Sequence, residues 1–333
     1  MRSTLSEIAA HAGVSVSTVS KVLNGRTDVS PTTRERIGRL LADHGYRASR
    51  ASGIVDLVIG ELHSPWADAL VAGAVSAGCE EDCRIVVNTA TGQDEDLGAT
   101  LARIAARGTD GVLTVHQLPH ERDRRQLDAK GVPLVVIDPP VEPGDGVRSV
   151  ASTNWQGGLS ATRHLLELGH RRIAAISGPL PVWSARARLD GYRAALQRAG
   201  VPSDESLVRT GEFSARAGRT QALSLLDLPE PPTAIVAGND GQAFGVLQAL
   251  AERGLRAPHD VSVTGFDDVP VARWAAPELT TVRQPLEAMA ATAFRMLRLV
   301  TAGGAAQPEQ VELATTLVVR ESTAPPQGRP GTA

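Results

Sequence analysis

The sequence predicts an α/β protein with an N-terminal helix-turn-helix head and a two-lobed core of doubly wound parallel sheets. Three observations support this prediction. The first 46 residues show three short helical patterns separated by turns. From Ile54 onward, short runs rich in Val and Ile alternate with helical patterns, as is typical of parallel sheets flanked by helices. The chain of 333 residues is long enough for more than one domain, at ~100–200 residues each.

The first two predicted helices of the head have clear end signals. Apolar residues recur at helical spacing over residues 5–12 and stop at Gly13, a residue suited to a left-handed helix terminus. Ser15 can cap a second helix over residues 16–23. Asn24, followed by glycine, ends that helix.

A third helix begins at Ser30 and Pro31, which supply a capping serine and a proline at the first helical position. It is expected to stop at Gly45. Two helices joined by a tight turn and backed by a third form a helix-turn-helix.

The rest of the chain contains two series of predicted strands with helices between them. The first series is Val55–Gly60, Arg84–Asn88, Gly111–Val115 and Pro133–Asp138. The second series is Arg172–Ser177, Leu207–Gly211, Thr233–Gly238 and Val261–Asp267. The helices include Ala67–Gly78, Asp96–Arg107, Trp155–Leu168, Ala185–Ala199, Ala215–Leu226 and Gln242–Arg253. We therefore expect two doubly wound lobes in succession.

Charge is unevenly distributed along the chain. The net charge is −3, but residues 1–50 hold eight Lys and Arg residues against four Asp and Glu residues. The head therefore carries +4 and the remaining 283 residues carry −7. A small basic head on an acidic body indicates that the head meets a polyanion while the body has another role.

The composition excludes several classes of protein. With 42% hydrophobic and 21% charged residues, the chain is typical of a globular protein rather than a disordered one. No apolar run approaches the ~20 residues of a membrane span, and the N-terminus lacks a signal-peptide core. We expect a cytoplasmic protein with no membrane association. Cys79 and Cys83 predict two reduced thiols in one helical turn, with no metal site.

The second helix of the head has side chains suited to DNA. A recognition helix presents short side chains to base edges, and its surroundings present hydroxyls and cations to phosphates. Val16, Ser17 and Lys21 suit base contacts. The residues suited to phosphate contacts are Thr4, Ser15, Thr18, Asn24, Ser30 and Thr33. Spacing alone leaves open a helical interaction module whose serines only cap helices.

Polar and aromatic residues follow the predicted strands, where ligands bind in parallel sheets. They are Trp66, Asp138, Trp183, Ser184, Arg186, Arg188, Phe213, Asn239, Asp267 and Asp268. Aromatic faces together with Arg, Asp and Asn suit a sugar, which presents flat C–H faces and hydroxyls. Two alternatives stay open: an Asp at a strand end can simply cap a helix, and Trp66 can close the hinge side of a lobe.

The sequence resembles the lac repressor family (LacI/GalR) over nearly its whole length. In the head, the resemblance rests on Thr4-Leu5-Ser6-Glu7-Ile8-Ala9, Ala12-Gly13-Val14-Ser15, Thr18-Val19-Ser20-Lys21-Val22-Leu23-Asn24 and Val29-Ser30-Pro31-Thr32-Thr33-Arg34. In the body, it rests on Leu168-Gly169-His170-Arg171-Arg172-Ile173, Gly191-Tyr192-Arg193-Ala194-Ala195-Leu196, Gly265-Phe266-Asp267-Asp268 and Leu279-Thr280-Thr281-Val282-Arg283-Gln284-Pro285.

The resemblance implies a sequence-specific transcriptional repressor whose operator affinity is controlled by a small sugar-like effector bound between two lobes. It places Val16, Ser17 and Lys21 at base-reading positions. It implies a type I periplasmic-binding-protein-like core whose lobes are joined by three crossings. By position, the family's effector contacts match Trp66, Ser184, Arg188, Phe213, Asn239, Asp267 and Gln284.

The expected domain organisation has a head, a short linker, a core and a tail. These are residues 1–46 (helix-turn-helix), 47–54 (shortened linker), 55–322 (effector-binding core) and 323–333 (disordered tail). Lobe one is expected at about 55–151 and 285–308, and lobe two at about 152–284 and 309–322. The final strand, Val311–Arg320, is thus assigned to lobe two.

Two departures from the family pattern concern the effector site. Thr153 replaces the acidic residue that usually precedes Asn154. Pro139-Pro140 follow Asp138, where the family often has a cation. These differences lie at the expected ligand site and therefore bear on which effector binds.

A third departure concerns the linker. Relatives usually place a hinge helix there, with a leucine that wedges into the minor groove. Residues 47–54 contain no leucine. We therefore expect a reduced or absent hinge helix, with Arg47 and Arg50 contacting phosphates. The alternative is that Ala51 to Ile54 order as one helical turn on DNA, with Ile54 in place of the leucine wedge.

Three functions are compatible with a two-lobed core, and the head distinguishes them. A repressor that binds a near-palindromic operator on double-stranded DNA as a homodimer uses both regions. A sugar transport receptor needs an export signal and lacks a helix-turn-helix. An enzyme is not expected, because the sequence has no phosphate loop, His-Glu-x-x-His or Gly-x-Ser-x-Gly motif. No leucine heptads extend the chain toward a tetramer, and no cofactor is expected.

Overall fold

A computed structural model describes residues 5–23, 29–43, 52–60, 62–90, 94–301 and 309–327. The chain divides into two units, Met1–Ser52 and Gly53–Ala333. Within the described residues, the first unit is helical and the second contains two six-stranded sheets. The predicted fold class is confirmed.

The head consists of three helices around a small apolar core. They are α1 (Leu5–Ala12), α2 (Val16–Leu23) and α3 (Pro31–Asp43). Ile8, Val19 and Ile37, one from each helix, are fully buried. Each helix therefore contributes an apolar face to one common core.

Local chemistry sets the limits of the helices in the head. Gly13, with φ of +61°, ends α1 in the left-handed region. The Ser15 Oγ accepts a hydrogen bond from the Thr18 N–H at 3.2 Å, which caps α2. The limits predicted for α2 are therefore those observed. The predicted stop of α3 at Gly45 lies outside the described residues.

The first lobe begins with β1, whose sequence Ile-Val-Asp-Leu-Val-Ile is buried almost throughout, as expected for a central parallel strand. The lobe comprises β1 (Ile54–Ile59), α4 (Pro65–Glu80), β2 (Arg84–Thr89), α5 (Asp94–Arg107), β3 (Gly111–Val115), α6 (Glu121–Ala129), β4 (Leu134–Ile137) and β5 (Ser149–Ser152). These are later joined by α11 (Leu286–Thr301) and β11 (Gln310–Leu313). The strand order is β11-β5-β4-β3-β1-β2, and every pairing is parallel.

The second lobe repeats this architecture. It comprises α7 (Asn154–Glu167), β6 (Ile173–Ser177), α8 (Trp183–Arg198), β7 (Val208–Thr210), α9 (Ala215–Leu226), β8 (Ala234–Ala237), α10 (Asp240–Glu252), β9 (Ser262–Asp267), β10 (Thr280–Arg283) and β12 (Thr316–Val318), with 3₁₀ turns at Glu205–Leu207 and Pro270–Arg273. The strand order is β12-β10-β9-β8-β6-β7, and only the β10–β12 pairing is antiparallel. The carboxyl ends of the parallel strands therefore meet at one edge of each sheet.

In lobe one, α4 and α11 pack against each other over the sheet. A Cβ atom at Gly73 of α4 would lie 2.4 Å from the Glu287 carbonyl oxygen of α11, so the two backbones approach closely only because Gly73 has no side chain. Phe294 of α11 is fully buried in the same core. The segment after β10 thus completes lobe one.

Three crossings join the lobes: after β5, after β10 and between β11 and β12. The first and third are hydrogen bonded to each other. The Thr153 N–H donates to the Leu313 carbonyl, and the Thr315 N–H donates to the Thr153 Oγ1, both at 2.9 Å. Thr153, which departs from the family pattern, is therefore a structural residue of the hinge.

The assignment of the final strand, Val311–Arg320, to lobe two is wrong for its first half and holds for its second half. Its first half is β11, which pairs with β5 in the first sheet, and only its second half is β12 in the second sheet. Exposed and partly buried residues alternate without a break from Val311 to Leu317, so the sequence pattern conceals the crossing. The lobe boundary at 151–152 also shifts, because Ser152 is the last residue of β5.

The prediction of a disordered tail at 323–333 is wrong for residues 323–327. The His170 ring Nε2 lies 2.9 Å from the Ala324 carbonyl oxygen, and the Ala324 N–H donates to the Ser262 Oγ at 3.1 Å. The Thr323 Oγ1 lies 2.9 Å from the His164 Nε2. The Pro and Gly content of the tail predicts disorder. However, the buried His170 ring and the Ser262 hydroxyl at the start of β9 need hydrogen-bond partners, and Ala324 supplies them. Residues 328–333 lie outside the described residues.

The linker also ends earlier than predicted. Ile54 is the first residue of β1 and pairs with Arg84 of β2. Ile54 is therefore a strand residue in this structure, and the alternative in which residues 51–54 order as one helical turn on DNA stays a prediction. Residues 44–51 lie outside the described residues.

The two cysteines do not share a helical turn. Cys79 is exposed in the last turn of α4, whereas Cys83 is buried beyond the end of that helix, directly before β2. Both are free thiols. The helix α4 ends at Glu80, and the Cys83 N–H donates to the Gly78 carbonyl at 2.8 Å beyond that end.

Candidate nucleic-acid interface and ligand cavity

The helix α2 presents polar side chains outward at its N-terminal end. Ser17 and Lys21 are exposed, and Val16 is 43% exposed despite being apolar. The Ser15 Oγ lies 2.8 Å from both the Ser17 Oγ and the Thr18 Oγ1. An exposed valine flanked by hydroxyls matches a base edge, because valine can contact a thymine methyl while hydroxyls bond to bases or phosphates.

The other residues predicted to contact phosphates fall into two groups. At the start of α3, the Ser30 Oγ donates to the Thr33 Oγ1 at 2.8 Å and accepts from the Thr33 N–H at 3.3 Å. Ser30 is therefore also a helix cap. Thr4, Asn24, Arg47 and Arg50 lie outside the described residues.

A cavity of about 560 Å³ lies between the two lobes of the core. This volume is within the ~300–1,000 Å³ typical of small-molecule sites. Its wall brings together residues of lobe one (Ile59, Gly60, Ser64, Trp66, Val115, His116, Gln117 and Asp138) and of lobe two (Ser184, Arg188, Phe213, Asn239 and Asp267). Of the eleven residues named from the sequence for the ligand site, seven are in this wall; the other four are Trp183, Arg186, Asp268 and Gln284.

Arg188 of α8 is a buried cation in the lobe-two wall. Its Nε donates to the Asn154 Oδ1 at 2.8 Å, and its Nη1 donates to the Gly238 carbonyl at 2.7 Å. The same Nη1 lies 3.7 Å from the Asp267 Oδ1. The guanidinium is 3.7 Å from the centre of the Phe266 ring. These contacts fix the guanidinium in one orientation, with the charge stabilised by the ring face.

Asp267 ends β9 and connects the cavity to the hinge. The Gln284 Nε2 donates to the Asp267 Oδ1 at 2.7 Å, and the Ser152 Oγ donates to the Gln284 Oε1 at 2.6 Å. Burial raises the pKa of Asp267 to about 6, although the positive charge of Arg188 opposes the shift. Gln284 therefore lies behind Asp267 and links two of the three crossings to the cavity.

Phe213 forms an aromatic part of the cavity wall. Its ring fits there because Gly178, which lies against it, has no side chain. A Cβ at Gly178 would lie 2.1 Å from the Phe213 Cζ. Gln242 fixes the loop that carries Phe213, since its Nε2 donates to the Glu212 carbonyl at 3.0 Å. Asn239 lines the cavity and also caps α10, with its Oδ1 accepting from the Gln242 N–H at 2.8 Å. Asn239 is therefore a helix cap that also lines the cavity.

The lobe-one wall is built around Trp66, His116 and Asp138. The Trp66 and His116 rings meet edge to face, with centres 6.4 Å apart. The His116 Nδ1 lies 3.2 Å from the Asp138 carbonyl oxygen and 3.5 Å from its Oδ2. Burial favours a lower pKa for His116, but the hydrogen bonds and charge of Asp138 outweigh it and raise the pKa. His116 and Asp138 both have positive φ, +54° and +49°, a strain typical of ligand sites.

Sequence reasoning missed His116, Gln117 and Ser64. His116 and Gln117 directly follow β3, so the rule that identified Asp138 after β4 would have identified them too. Trp183 begins α8, and its N–H donates to the Pro140 carbonyl at 2.8 Å. Trp183 therefore contributes a backbone contact between the lobes, and the ring is not in the cavity wall.

Two features are absent from the described residues. No helix there is long and apolar enough to cross a lipid bilayer. No group of three or more His, Cys, Asp and Glu residues in the same part of the chain is arranged to hold a metal ion.

A helix-turn-helix head and a two-lobed core with a polar, aromatic cavity are the features of a ligand-controlled DNA-binding regulator. Residues 4–49 match the family described as bacterial regulatory proteins, lacI family. Residues 162–323 match a periplasmic binding protein-like domain. The chain belongs to the LacI family of bacterial transcriptional regulators.

Relatives match the chain over nearly its full length. The HTH-type transcriptional regulator CelR of Thermobifida fusca is 37% identical over 337 residues, covering 96% of this chain and 98% of CelR. The solved structure of a CelR–cellobiose complex is 38% identical with a TM-score of 0.74, covering 96% of this chain and 100% of that one. A lac repressor dimer bound to operator and the anti-inducer ONPF is 28% identical with a TM-score of 0.72, covering 97% and 100%.

Proposed function

We propose that this chain is a transcriptional repressor that binds a near-palindromic operator as a homodimer, with operator affinity controlled by a small sugar-like effector. The observation that carries the proposal is one cavity whose wall comes from both lobes. Two relatives support it: one solved structure is a CelR–cellobiose complex, and another is a lac repressor dimer on its operator.

The proposed effector contacts use complementary chemistry from the two lobes. Trp66 and Phe213 offer aromatic faces for the C–H faces of a sugar ring, one from each lobe. Arg188 offers a fixed guanidinium, and Asp138 offers a carboxylate. The remaining proposed contacts are Ser184, Asn239, Asp267, His116 and Gln117, with Gln284 positioning Asp267.

Control of DNA binding follows from thermodynamic linkage. An effector that contacts both lobes binds one lobe arrangement better than another, and the lobes set how two heads reach two half-sites together. A difference of ~3 kcal/mol in effector affinity between the two arrangements changes operator affinity by a factor of roughly 150. The hydrogen-bonded chain from Asp267 through Gln284 to Ser152 links the effector site to the crossings.

In the head, we assign Val16, Ser17 and Lys21 to base edges and Ser15, Thr18, Ser30 and Thr33 to phosphates. Thr4, Asn24, Arg47 and Arg50 complete the proposed phosphate contacts. The functional boundaries we assign are a head at 1–46, a linker at 47–53 and a core from Ile54. A repressor acts where its operator is, so the proposed location is the cytoplasm.

The competing function is catalysis on a sugar. The relatives described above are transcriptional regulators, which favours binding without turnover. Incubation with cellobiose, followed by chromatography of the sugar, tests this directly. Unchanged cellobiose supports a binding protein, whereas release of glucose would support an enzyme.

The proposed function is tested by a thermal-shift screen of mono- and oligosaccharides, beginning with cellobiose and repeated with operator DNA. A sugar that raises the melting temperature of the protein and changes its operator affinity supports the proposal. Sugars that leave both quantities unchanged throughout the screen would contradict it.

A further inference from the structure

The cationic side chains in the cavity wall already have carboxylate partners. In the described wall these are Arg188 and His116, of which the first lies beside Asp267 and the second beside Asp138. Arg188 also donates to two oxygens of the protein, on Asn154 and Gly238. A ligand anion would therefore compete with internal partners for each positive charge.

Carboxylates outnumber permanent cations around this cavity. The electrostatic field at Arg188 includes Asp267, Asp138 and the fully buried Asp240. Burial and the charge of Asp138 both raise the pKa of Asp267, although Arg188 opposes them. A site in which a resident carboxylate ionises less readily than usual is unfavourable for a second anion.

The lobe-one wall has acceptor oxygens without donors. The Asp138 Oδ1 and the Gln117 Oε1 are shielded from solvent, and each lacks a hydrogen-bond donor among the described residues. The Gln117 amide is oriented by its Nε2, which donates to the Ala90 carbonyl at 2.7 Å. Unpaired buried acceptors are unfavourable, and hydroxyl groups that donate to them relieve the penalty.

From these contacts we infer that the effector is an uncharged polyhydroxyl compound and that sugar phosphates and sugar acids are excluded by Asp138 and Asp267. The inference rests on the proposed function and narrows its ligand class. Asp138 and Gln117 are the residues that select hydroxyl donors, and Asp138 also repels anions. Arg188 holds Asp267 in place and does not serve as an anion receptor.

The test compares pairs of ligands that differ in charge, beginning with a pair of nearly the same shape. Calorimetry on the full chain measures binding of cellobiitol and cellobionate, which have the same open-chain end and differ by one carboxylate. Glucose with glucose 6-phosphate, and ribose with ribose 5-phosphate, provide two further pairs. We expect the neutral member of a binding pair to bind at least ~10-fold more tightly, as one buried like-charge contact suffices for that factor.

A variant of Asp138 tests whether this carboxylate is the group that excludes anionic ligands. Asp138→Asn keeps the side-chain size and removes the charge, so it should narrow the gap between the neutral and anionic ligands. The control is Asp145→Asn, which removes an exposed lobe-one carboxylate outside the cavity wall and should leave the gap unchanged. If Asp138→Asn fails to fold, the wild-type comparison and Asp267→Asn provide the test.

The outcomes separate the inference from the function on which it rests. An anionic ligand that binds as tightly as its neutral partner, while still changing operator affinity, overturns the inference and leaves the repressor function intact. Binding by no member of any pair overturns both the sugar effector and the inference.

Discussion

The guanidinium of Arg188 lies 3.7 Å from the centre of the Phe266 ring, at the base of the lobe-two wall. Phe266 is itself buried, and Gly157 allows its ring to approach α7, since a Cβ there would lie 2.5 Å from the Phe266 Cε2. Arg188 is therefore held by stacking as well as by hydrogen bonds. A planar guanidinium meets both demands, and an ammonium does not.

Arg188→Lys should abolish the effector response while leaving operator affinity nearly unchanged, because the head is a separate unit. Lysine has a single ammonium nitrogen in place of the separate Nε and Nη1 that donate to Asn154 and Gly238, and it has no planar face to stack on Phe266. Calorimetry with an effector sugar and anisotropy with labelled operator measure the two properties. Arg193→Lys is the matched control, since Arg193 lies in the same helix and pairs with Glu205 instead. Unchanged sugar affinity in Arg188→Lys would contradict the site assignment.

Lys21→Ala should weaken operator binding by ~1–3 kcal/mol and relax the preference at one symmetric base position, if Lys21 contacts a base edge. Binding to a panel of operators with single base changes measures both effects. Lys130→Ala, which removes an exposed lysine of lobe one, should have no effect. An equal loss on every sequence would show that Lys21 contacts a phosphate.

The linker should bend the operator little. No leucine occurs between Asp43, which ends α3, and Ile54, which begins β1, so the leucine wedge that kinks DNA by ~20–90° is missing. A circular-permutation gel shift measures the bend, and Arg47 and Arg50 should appear as a steep salt dependence of binding. Ile54→Ala should not change the bend. Strong central bending that disappears in Ile54→Ala would refute this prediction.

His170 should make the stability of the protein sensitive to acid. Burial lowers the pKa of His170, although the hydrogen bond to the Ala324 carbonyl opposes the shift. A histidine with a lowered folded-state pKa contributes stability that is complete above its unfolded value of ~6.5 and is lost as the pH falls through the folded value. The urea midpoint should therefore fall more steeply from pH 7.5 to 5 in the wild type than in His170→Gln. The exposed His63→Gln variant should follow the wild type, and equal slopes in all three would contradict the prediction.

Elements with local end signals could be predicted closely from the sequence. The limits of α2 follow from a capping serine, and β3 follows from the Val- and Leu-rich run Gly-Val-Leu-Thr-Val. In contrast, β5 and β10 were not predicted, because Ser-Val-Ala-Ser and Thr-Thr-Val-Arg owe their burial to neighbouring strands rather than to composition. The division of residues 311–320 between two sheets depends on the hinge, which no local pattern encodes.

The residues of the ligand site also fall into those that the sequence predicts and those that only the folded structure shows. Seven wall residues could be predicted because they follow strands or match the family. The position of Trp183 outside the wall could not be predicted, because it depends on the hydrogen bond from the Trp183 backbone N–H to the Pro140 carbonyl. The role of Gln284 behind Asp267 depends on two chain crossings meeting at one point, which appears only in the folded core.

The central claim is that a ligand in the interlobe cavity controls DNA binding by the head. Anisotropy of a labelled operator, titrated with the full chain with and without saturating cellobiose, tests it most directly. Operator affinity should change by a factor of ~5–150, the usual range of allosteric coupling, and Asp267→Asn should remove the change. An operator affinity that stays the same, while calorimetry shows that cellobiose binds the wild type and not Asp267→Asn, would contradict the account.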